Sequence, residues 1–495
     1  MIRRLSISTL TAILLLTVAA LAPVLADVNE VFNTLETPGK EGSSYVRVIT
    51  ENVEAWYARW YIISNAKQTI DTTYFIVEND IFGKSFVGLL LKKAKEGVQI
   101  RLMVDARGTK GLARTFLGQD YLQELMQQKG VAIKVYNPIH KALLAIPQDI
   151  RTPIASNHDK LVICDGQWVI TGGRNISKNY FAAWKDLPKA YRDTDILING
   201  MNIATAARQA FELEFNYLPN TEINKDWFNF DSRNVELELA RRAMEQHLLG
   251  NGLTDPSKLT DHGDLLKEIN TELAQYPGLV GFAAYKPFGG ERMYPTKLLD
   301  KSSLTGDKNE ITPAIIRFFD AAQKKIVIQN PYVVLTGQAR EALQRAAARG
   351  VPIYLLTNSP DSSDSLLTQA MFVKDWKNIL KSMPTMRIFA YRGPAKVHAK
   401  VMSIDDQITI IGTYNMDPMS EQINSECVAV VTSTAFGTQN RLRIENDAKN
   451  AVEYKIRLGA NGEPEQVVGP SDHVKASALD AVNKAQLLSF LRPII

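Results

Sequence analysis

The chain has 495 residues, of which 45% are hydrophobic and 22% charged, with a formal net charge of +4. That length suits two domains of ordinary size, and the balance excludes a membrane-embedded or a disordered protein. The small charge permits an anionic lipid surface or a nucleic acid as partner and argues for neither. Lys and Arg are scattered rather than gathered into the basic face that nucleic acid favours.

Residues 1–26 read as a signal peptide outside the fold. Arg3 and Arg4 make a basic start, Leu10 to Leu25 is largely apolar, and Val24-Leu25-Ala26 offers a cleavage site before Asp27. The other reading, an uncleaved anchor, is disfavoured because the run is short for a bilayer and is interrupted by Thr11, Thr17 and Pro23. No cysteine near the site allows a lipid-modified N-terminus, and no later segment has the continuous apolar length to cross a membrane. The expectation is an exported protein, periplasmic or secreted.

The remainder divides into an N-terminal half (27–235), a connecting segment (236–310) and a C-terminal half (311–495). In the first half Trp56 and Trp60, among Tyr57 and Tyr61, read as a helix packed on the core rather than a lipid-binding stripe. Gln68 to Val77 predicts a strand. Phe82, Phe86, Leu89 and Leu90 at helical spacing predict a helix ending at Gly97, with Lys92, Lys93 and Lys95 on a solvated face. Val98 to Val104 predicts a second strand, ending at Asp105. Ala142 to Ile154, apolar and proline-bearing, precedes His158 and is expected at the substrate mouth.

His158-Asp-Lys160 begins a strand, Leu161 to Cys164. A turn at Asp165-Gly166 returns the chain through Trp168 to Thr171 into Gly172-x-x-Asn175. Glu236 to Leu249 and Leu265 to Ala274 predict helices, with the turn-rich stretch Asn251 to His262 between them. Tyr276 to Pro295, rich in Gly, Pro and aromatics, is a second candidate for the mouth.

The second half repeats the first. Lys325 to Leu335 is the matching strand, Ala339, Leu343 and Ala346 mark the helix, Gly350 ends it, and Val351 to Thr357 is the next strand. His398-Ala-Lys400 leads into Val401 to Ile404, a turn at Asp405-Asp406, the return strand Gln407 to Ile411, and Gly412-x-x-Asn415. Tyr454 to Leu458 and Glu465 to Val468 flank Ala460-Asn461-Gly462 as a hairpin. Strands joined by a crossover helix should run parallel, so the fold class is α/β, duplicated.

His-x-Lys-x4-Asp-x6-Gly-x-x-Asn therefore occurs twice without a gap, although the chain holds only six His. Such a repeat suggests one active site built from two halves. A phosphodiester resists attack because its oxygens are negative and its leaving alkoxide is poor. Lys160 and Lys400 supply point charges, Asn175 and Asn415 amide donors, and His158 and His398 a nucleophile and a proton carrier, with no metal required. Asp165 and Asp405 are expected to bond the hairpin backbone rather than the substrate. Cys164 and Cys427 fit buried small side chains, and two sulfurs are too few for a cysteine metal site. His140, His247, His262 and His473 lack ligand spacing, so no metal and no cofactor are expected.

This constellation resembles the phospholipase D superfamily, over nearly all the chain after residue 26. More narrowly, Gly172-Gly173-Arg174-Asn175-Ile176, Tyr191-Arg192-Asp193-Thr194-Asp195, Thr357-Asn358-Ser359, the run from Gly412 to Pro418 and the C-terminal hairpin look like bacterial cardiolipin synthase C-type proteins. The resemblance implies two pseudo-twofold-related halves with the site at their interface, sufficient within one monomer. It implies His158 as nucleophile and His398 as general acid/base, with Glu426 holding His158 and Asp193 holding His398. The family's frequent Ser after the motif Gly is replaced here by Gly173 and Thr413. The implied activity is phosphatidyl transfer or hydrolysis on phospholipid head groups at a membrane surface. A secreted nuclease of the same superfamily, or a lipid-surface binding protein with a spent site, are the alternatives. Both motifs retain His, Lys and Asn, which disfavours the latter.

Overall fold

The computed structural model describes residues 27–38, 41–109, 121–138, 144, 146, 147, 149, 151–217, 221–222, 234–258, 261–303, 308–459 and 464–495. The segment 1–26 lies outside them, as do parts of the 142–154 insertion and the 460–463 turn.

The strands are β1 (Ser43–Ile49), β2 (Thr69–Tyr74), β3 (Gln99–Asp105), β4 (Val131–Tyr136), β5 (Lys160–Cys164), β6 (Trp168–Gly172), β7 (Asp195–Asn199) and β8 (Thr221–Glu222). They continue with β9 (Met293–Lys301), β10 (Ile326–Gln329), β11 (Ile353–Asn358), β12 (Met386–Tyr391), β13 (Val401–Ile404), β14 (Ile408–Gly412), β15 (Glu426–Thr432), β16 (Ala451–Leu458) and β17 (Pro464–Val468). In the first half they pair in the order β4-β3-β2-β5-β6-β7-β1. In the second the order is β12-β11-β10-β13-β14-β15-β9, strand for strand the same. The β2–β3 and β10–β11 pairs, each spanning a crossover helix (Ile81–Lys95 and Gly337–Ala348), are parallel, as the pattern predicts. The fold is α/β and duplicated.

The strands are apolar on both faces, and alternation sorts their side chains into layers. Leu161, Ile163, Val169 and Ile198 meet Val401, Ile411 and Ala429 in a central core between the two half-sheets. Their strand neighbours Val162, Cys164 and Ile170 turn toward the first half's helices, with Trp56, Phe82 and Phe86. Met402, Ile404 and Ile410 turn toward the second half's helices, with Phe318 and Leu343. Cys164 and Cys427 are buried free thiols. Trp56 and Trp60 are buried on helix Asn52–Asn65, as expected of a core-packed helix.

Several elements depart from the sequence reading. Met293–Lys301, inside the segment read as loops, is the strand that joins the halves. Its first residues pair with Ser43–Tyr45 and its last six with Glu426–Val431. Helix Val28–Asn33, at the start of the 27–235 half, packs in the second half's core, with Val28, Val31 and Phe32 against Leu299 and Ile311 among others. The strand read as Lys325 to Leu335 stops at Gln329, since Pro331 has no N–H to continue the ladder. Lys93 is buried rather than solvated, its ammonium donating to Ser64 O and Glu96. Within Tyr276 to Pro295, expected at the mouth, three rings pack away from the motif histidine. Phe282, Tyr285 and Phe288 gather on Tyr57, Tyr61 and Trp168, at the end of β6 away from Gly172, because burying these rings outweighs leaving them wet.

Candidate active site

Each hairpin turns through three residues, 165–167 and 405–407, the first two left-handed: Asp165 and Gly166 have φ of 54° and 63°, Asp405 and Asp406 of 55° and 59°. The Asp side chains reach further than the hairpin backbone. Asp165 accepts the N–H groups of Lys67, Gln68 and Thr69, and Asp405 those of Gln323, Lys324 and Lys325. Each staples its hairpin to the chain entering the neighbouring strand, β2 or β10, and neither touches a motif histidine.

The histidines are set by matching contacts across the pseudo-axis. One residue before His158, Asn157 makes a parallel bridge to Ser425. One residue before His398, Val397 makes a parallel bridge to Arg192. The next residue on each opposite strand is a carboxylate. Nδ1 of His158 lies 2.9 and 3.0 Å from the two oxygens of Glu426. Nδ1 of His398 lies 2.7 Å from Asp193 Oδ2. A carboxylate facing Nδ1 favours the tautomer with its proton on that nitrogen and its lone pair on Nε2. Each approach is clamped at a strand end: Asp105 accepts the Asn157 N–H at 3.0 Å, and Asn358 accepts the Val397 N–H at 2.9 Å and donates to its carbonyl at 2.8 Å.

Lys160 and Lys400 are buried, and each ammonium donates to the carbonyl of its own motif histidine, at 2.7 and 2.5 Å. Lys400 Nζ also lies 3.1 and 3.2 Å from the His398 ring nitrogens. Burial lowers both ammonium groups to about 8, with Glu426 opposing at Lys160 and Asp193 opposing at Lys400. Burial, then the charges of Lys160, Lys400 and His398, push His158 well below the usual imidazole value. Burial and Lys400 lower His398 too, against Asp193. Both imidazoles therefore hold a proton less tightly than an isolated one does, each within the field of the buried ammonium groups.

The carboxylates differ. Burial would raise Asp193, but His398, Lys400 and Arg174 outweigh it and hold it at about 2. Burial pushes Glu426 up to about 7, with Lys160 and the hydroxyls of Ser420 and Thr413 opposing. Here the two departures from the family pattern find their use. Thr413 spends its hydroxyl on Glu426, whereas Gly173 lies against Asp193, where a Cβ would fall 2.1 Å from Oδ1.

The motif asparagines are held by their surroundings rather than by His or Lys. Asn175 accepts the Ile76 N–H and donates to Tyr180 Oη. Asn415 binds Ser420 Oγ through its backbone N–H and leaves a buried Oδ1 without a partner. Several residues at the site carry no signature in the repeat. Tyr180, Tyr191 and Tyr332 surround the His398 ring at centroid distances of 5.4, 5.4 and 6.1 Å. The exposed Asp364 accepts from Tyr332 at 2.7 Å and from Tyr191 at 3.1 Å, forming a rim. Phe75 packs edge-on to His158. Arg174 is fully buried, donating to the carbonyls of Ile49, Thr50 and Asp193 and pairing with Asp195. The pairs Arg174 and Asp195, in Gly-Gly-Arg-Asn and Arg-Asp-Thr-Asp, were the one sequence signal for this clamp. Among the described residues no group of three or more His, Cys, Asp or Glu side chains is arranged to hold a metal ion.

The family model for the cardiolipin synthase, PLD-like domain matches residues 61–214 and 315–447, the two halves that carry the motifs. Cardiolipin synthase 1 of Bacillus anthracis is 26% identical over 394 residues, 79% of this chain and 64% of that protein. Cardiolipin synthase C of Escherichia coli (strain K12) is 26% identical over 420 residues, 78% of this chain and 80% of that protein. The chain thus spans under two thirds of the length of the Bacillus relative. The crystal structure of a phosphatidylserine synthase from Haemophilus influenzae Rd KW20 superposes with a TM-score of 0.60 at 13% identity, over 94% of this chain and all of that one, which places the two in the same fold. With the family model covering more than half of its residues, the chain belongs to the cardiolipin synthase, PLD-like family.

Proposed function

We propose that the protein is a phospholipase D-type phosphatidyltransferase or phosphodiesterase acting on phospholipid head groups. The observation that carries this is the pair of imidazoles, each braced at Nδ1 by a carboxylate from the opposite half, with a buried ammonium group donating to the carbonyl of each histidine. In the reaction, Nε2 of His158 attacks phosphorus and the P–O bond to the head-group alcohol breaks. Protonated His398 gives its proton to the departing oxygen. His398, now neutral, takes a proton from water or a second alcohol, whose oxygen attacks phosphorus and breaks the P–N bond. Lys160 and Lys400 offset the charge gathering on the phosphoryl oxygens, and Glu426 and Asp193 stabilise each imidazolium as it forms. Water as acceptor gives phosphatidic acid; phosphatidylglycerol gives cardiolipin. The names of the relatives from Bacillus and Escherichia support the second outcome. The basic start and apolar run of residues 1–26 support an exported location.

The test is incubation of purified protein with phosphorus-labelled phospholipid, with and without phosphatidylglycerol, followed by product identification by mass spectrometry. Rapid acid-free quenching should trap label on the wild type and on His398→Ala, and none on His158→Ala. Turnover unchanged in both alanine variants would remove the catalytic reading.

A further inference from the structure

The C-terminal residues leave an apolar surface uncovered. Helix Ala476–Ala485 and the 3-10 turns Gln486–Ile494 fold back on helix Leu366–Ser382, burying Val482 and Ala485 against Ala370, and Ile495 against Val334 and Met371. That packing uses one face. On the other, Leu487 is 83% exposed, Phe490 72% and Leu488 41%, and Leu366 on the supporting helix is 49% exposed. A single exposed leucine needs no explanation, but three large apolar side chains within four residues do.

The charge around them is basic. Lys374, Lys377 and Lys381 line the supporting helix, and Lys374 Nζ donates to Ser489 Oγ within the apolar turn. Of the acidic neighbours, Asp375 pairs with Arg340 and Arg492 and Asp480 with Lys484, while Asp361 and Asp364 at the helix entry are held by hydrogen bonds. An apolar ridge flanked by lysines is complementary to an anionic bilayer surface: the side chains enter the acyl boundary while the ammonium groups meet phosphates.

This surface adjoins the site. Leu366 lies two residues after Asp364, the rim carboxylate that holds Tyr191 and Tyr332 around His398. The chain entering the C-terminal helix is tied to the same rim, where the Lys475 N–H donates to Asp361. We propose that Leu487, Leu488, Phe490 and Leu366 dock the protein on an anionic phospholipid bilayer and hold the His398 side of the site at the lipid surface. The proposal rests on the phospholipid reading of the site and names the surface that brings substrate to it.

The experiment uses the full chain and the double variant Leu487→Ser/Phe490→Ser, both exposed positions, with circular dichroism as the check on folding. Wild type should co-sediment with phosphatidylglycerol vesicles and much less with phosphatidylcholine vesicles. The variant should partition about 30-fold or more weakly. Turnover of vesicle substrate should fall in parallel, while turnover of a short-chain phospholipid below its micelle concentration stays unchanged. Equal vesicle binding by variant and wild type overturns the proposal. So does a change from dimer to monomer in sedimentation velocity, which would make a second copy the occupant, or an equal loss on the short-chain substrate, which would make the segment part of the site's fold. A wild type that binds vesicles yet turns over neither substrate leaves the docking surface standing and removes the enzymatic reading.

Discussion

Placing a methyl group at Gly173 isolates the coupling between Asp193 and His398. A Cβ there would fall 2.1 and 2.6 Å from the two carboxylate oxygens of Asp193, where real contacts under 3.0 Å are essentially never seen. The carboxylate has nowhere easy to go: Oδ1 accepts the Thr194 N–H at 2.7 Å and Oδ2 faces His398 Nδ1 at 2.7 Å. It must retreat by roughly 1 Å, and a displacement of that size in a group that aims a catalytic residue costs about 100-fold in turnover. Gly173→Ala should therefore lower kcat on a soluble short-chain phospholipid by about that factor, with KM little changed, since no group in contact with the phosphate's charge is removed. The decisive measurement is a double-mutant cycle with Asp193→Ala. If Gly173→Ala acts through the carboxylate, it should cost almost nothing further once Asp193 is gone. Additive losses, or full activity in a folded single variant, would refute the reasoning.

Three further outcomes follow from the buried charges. Asp193 is held at about 2, below its unfolded value of 3.8, so its stabilisation of roughly 2 kcal/mol is complete above pH 4 and is lost as pH falls toward 2. The stability gap between wild type and Asp193→Asn in urea should accordingly narrow between pH 5 and pH 2.5, and a widening gap would contradict the assignment. Lys301, whose ammonium donates to Ser302 O and Asn424 O amid Glu426, Glu214, Asp159 and Asp300, should not tolerate Met. Uncompensated buried carboxylates should cost about 3 kcal/mol or more, read as a lower Tm that recovers on acidification. Arg174→Lys should be nearly as damaging, by about 3 kcal/mol, because one ammonium cannot span Ile49 O, Thr50 O, Asp193 O and Asp195; a Tm within a degree of wild type would count against the clamp.

The duplicated pattern made the architecture legible. Two apolar strand–helix–strand runs and two His-x-Lys hairpins lead directly to paired half-sheets, because strand alternation and Gly-terminated helices are local physics. Glu426 and Asp193 could be named only by likeness to a family, since a carboxylate meeting a histidine 268 or 205 residues away leaves no local period. The rings around His398 come from residues 180, 191 and 332, and the rim acid from 364, so no window of sequence contains them. Helix Val28–Asn33 belongs to the second half's core, yet its six residues carry no sign in the sequence of which core they enter. Strand β9 is hidden in the sequence because Pro295 and the adjacent pairs Leu298-Leu299 and Asp300-Lys301 break the period-2 alternation, and only the ladders to Ser43–Tyr45 and Glu426–Val431 reveal it.

Because each imidazole leans on an acid contributed by the other half, neither copy of the duplicated unit holds a working centre by itself. A break anywhere between residues 222 and 293 would leave two fragments, each with a histidine lacking its brace, and reactivity toward phosphorus would return only on reassembly. The two acids sit in different settings, one short and ionised beside a glycine, the other longer and hydroxyl-bound beside a threonine, so the two imidazoles do not occupy equivalent environments.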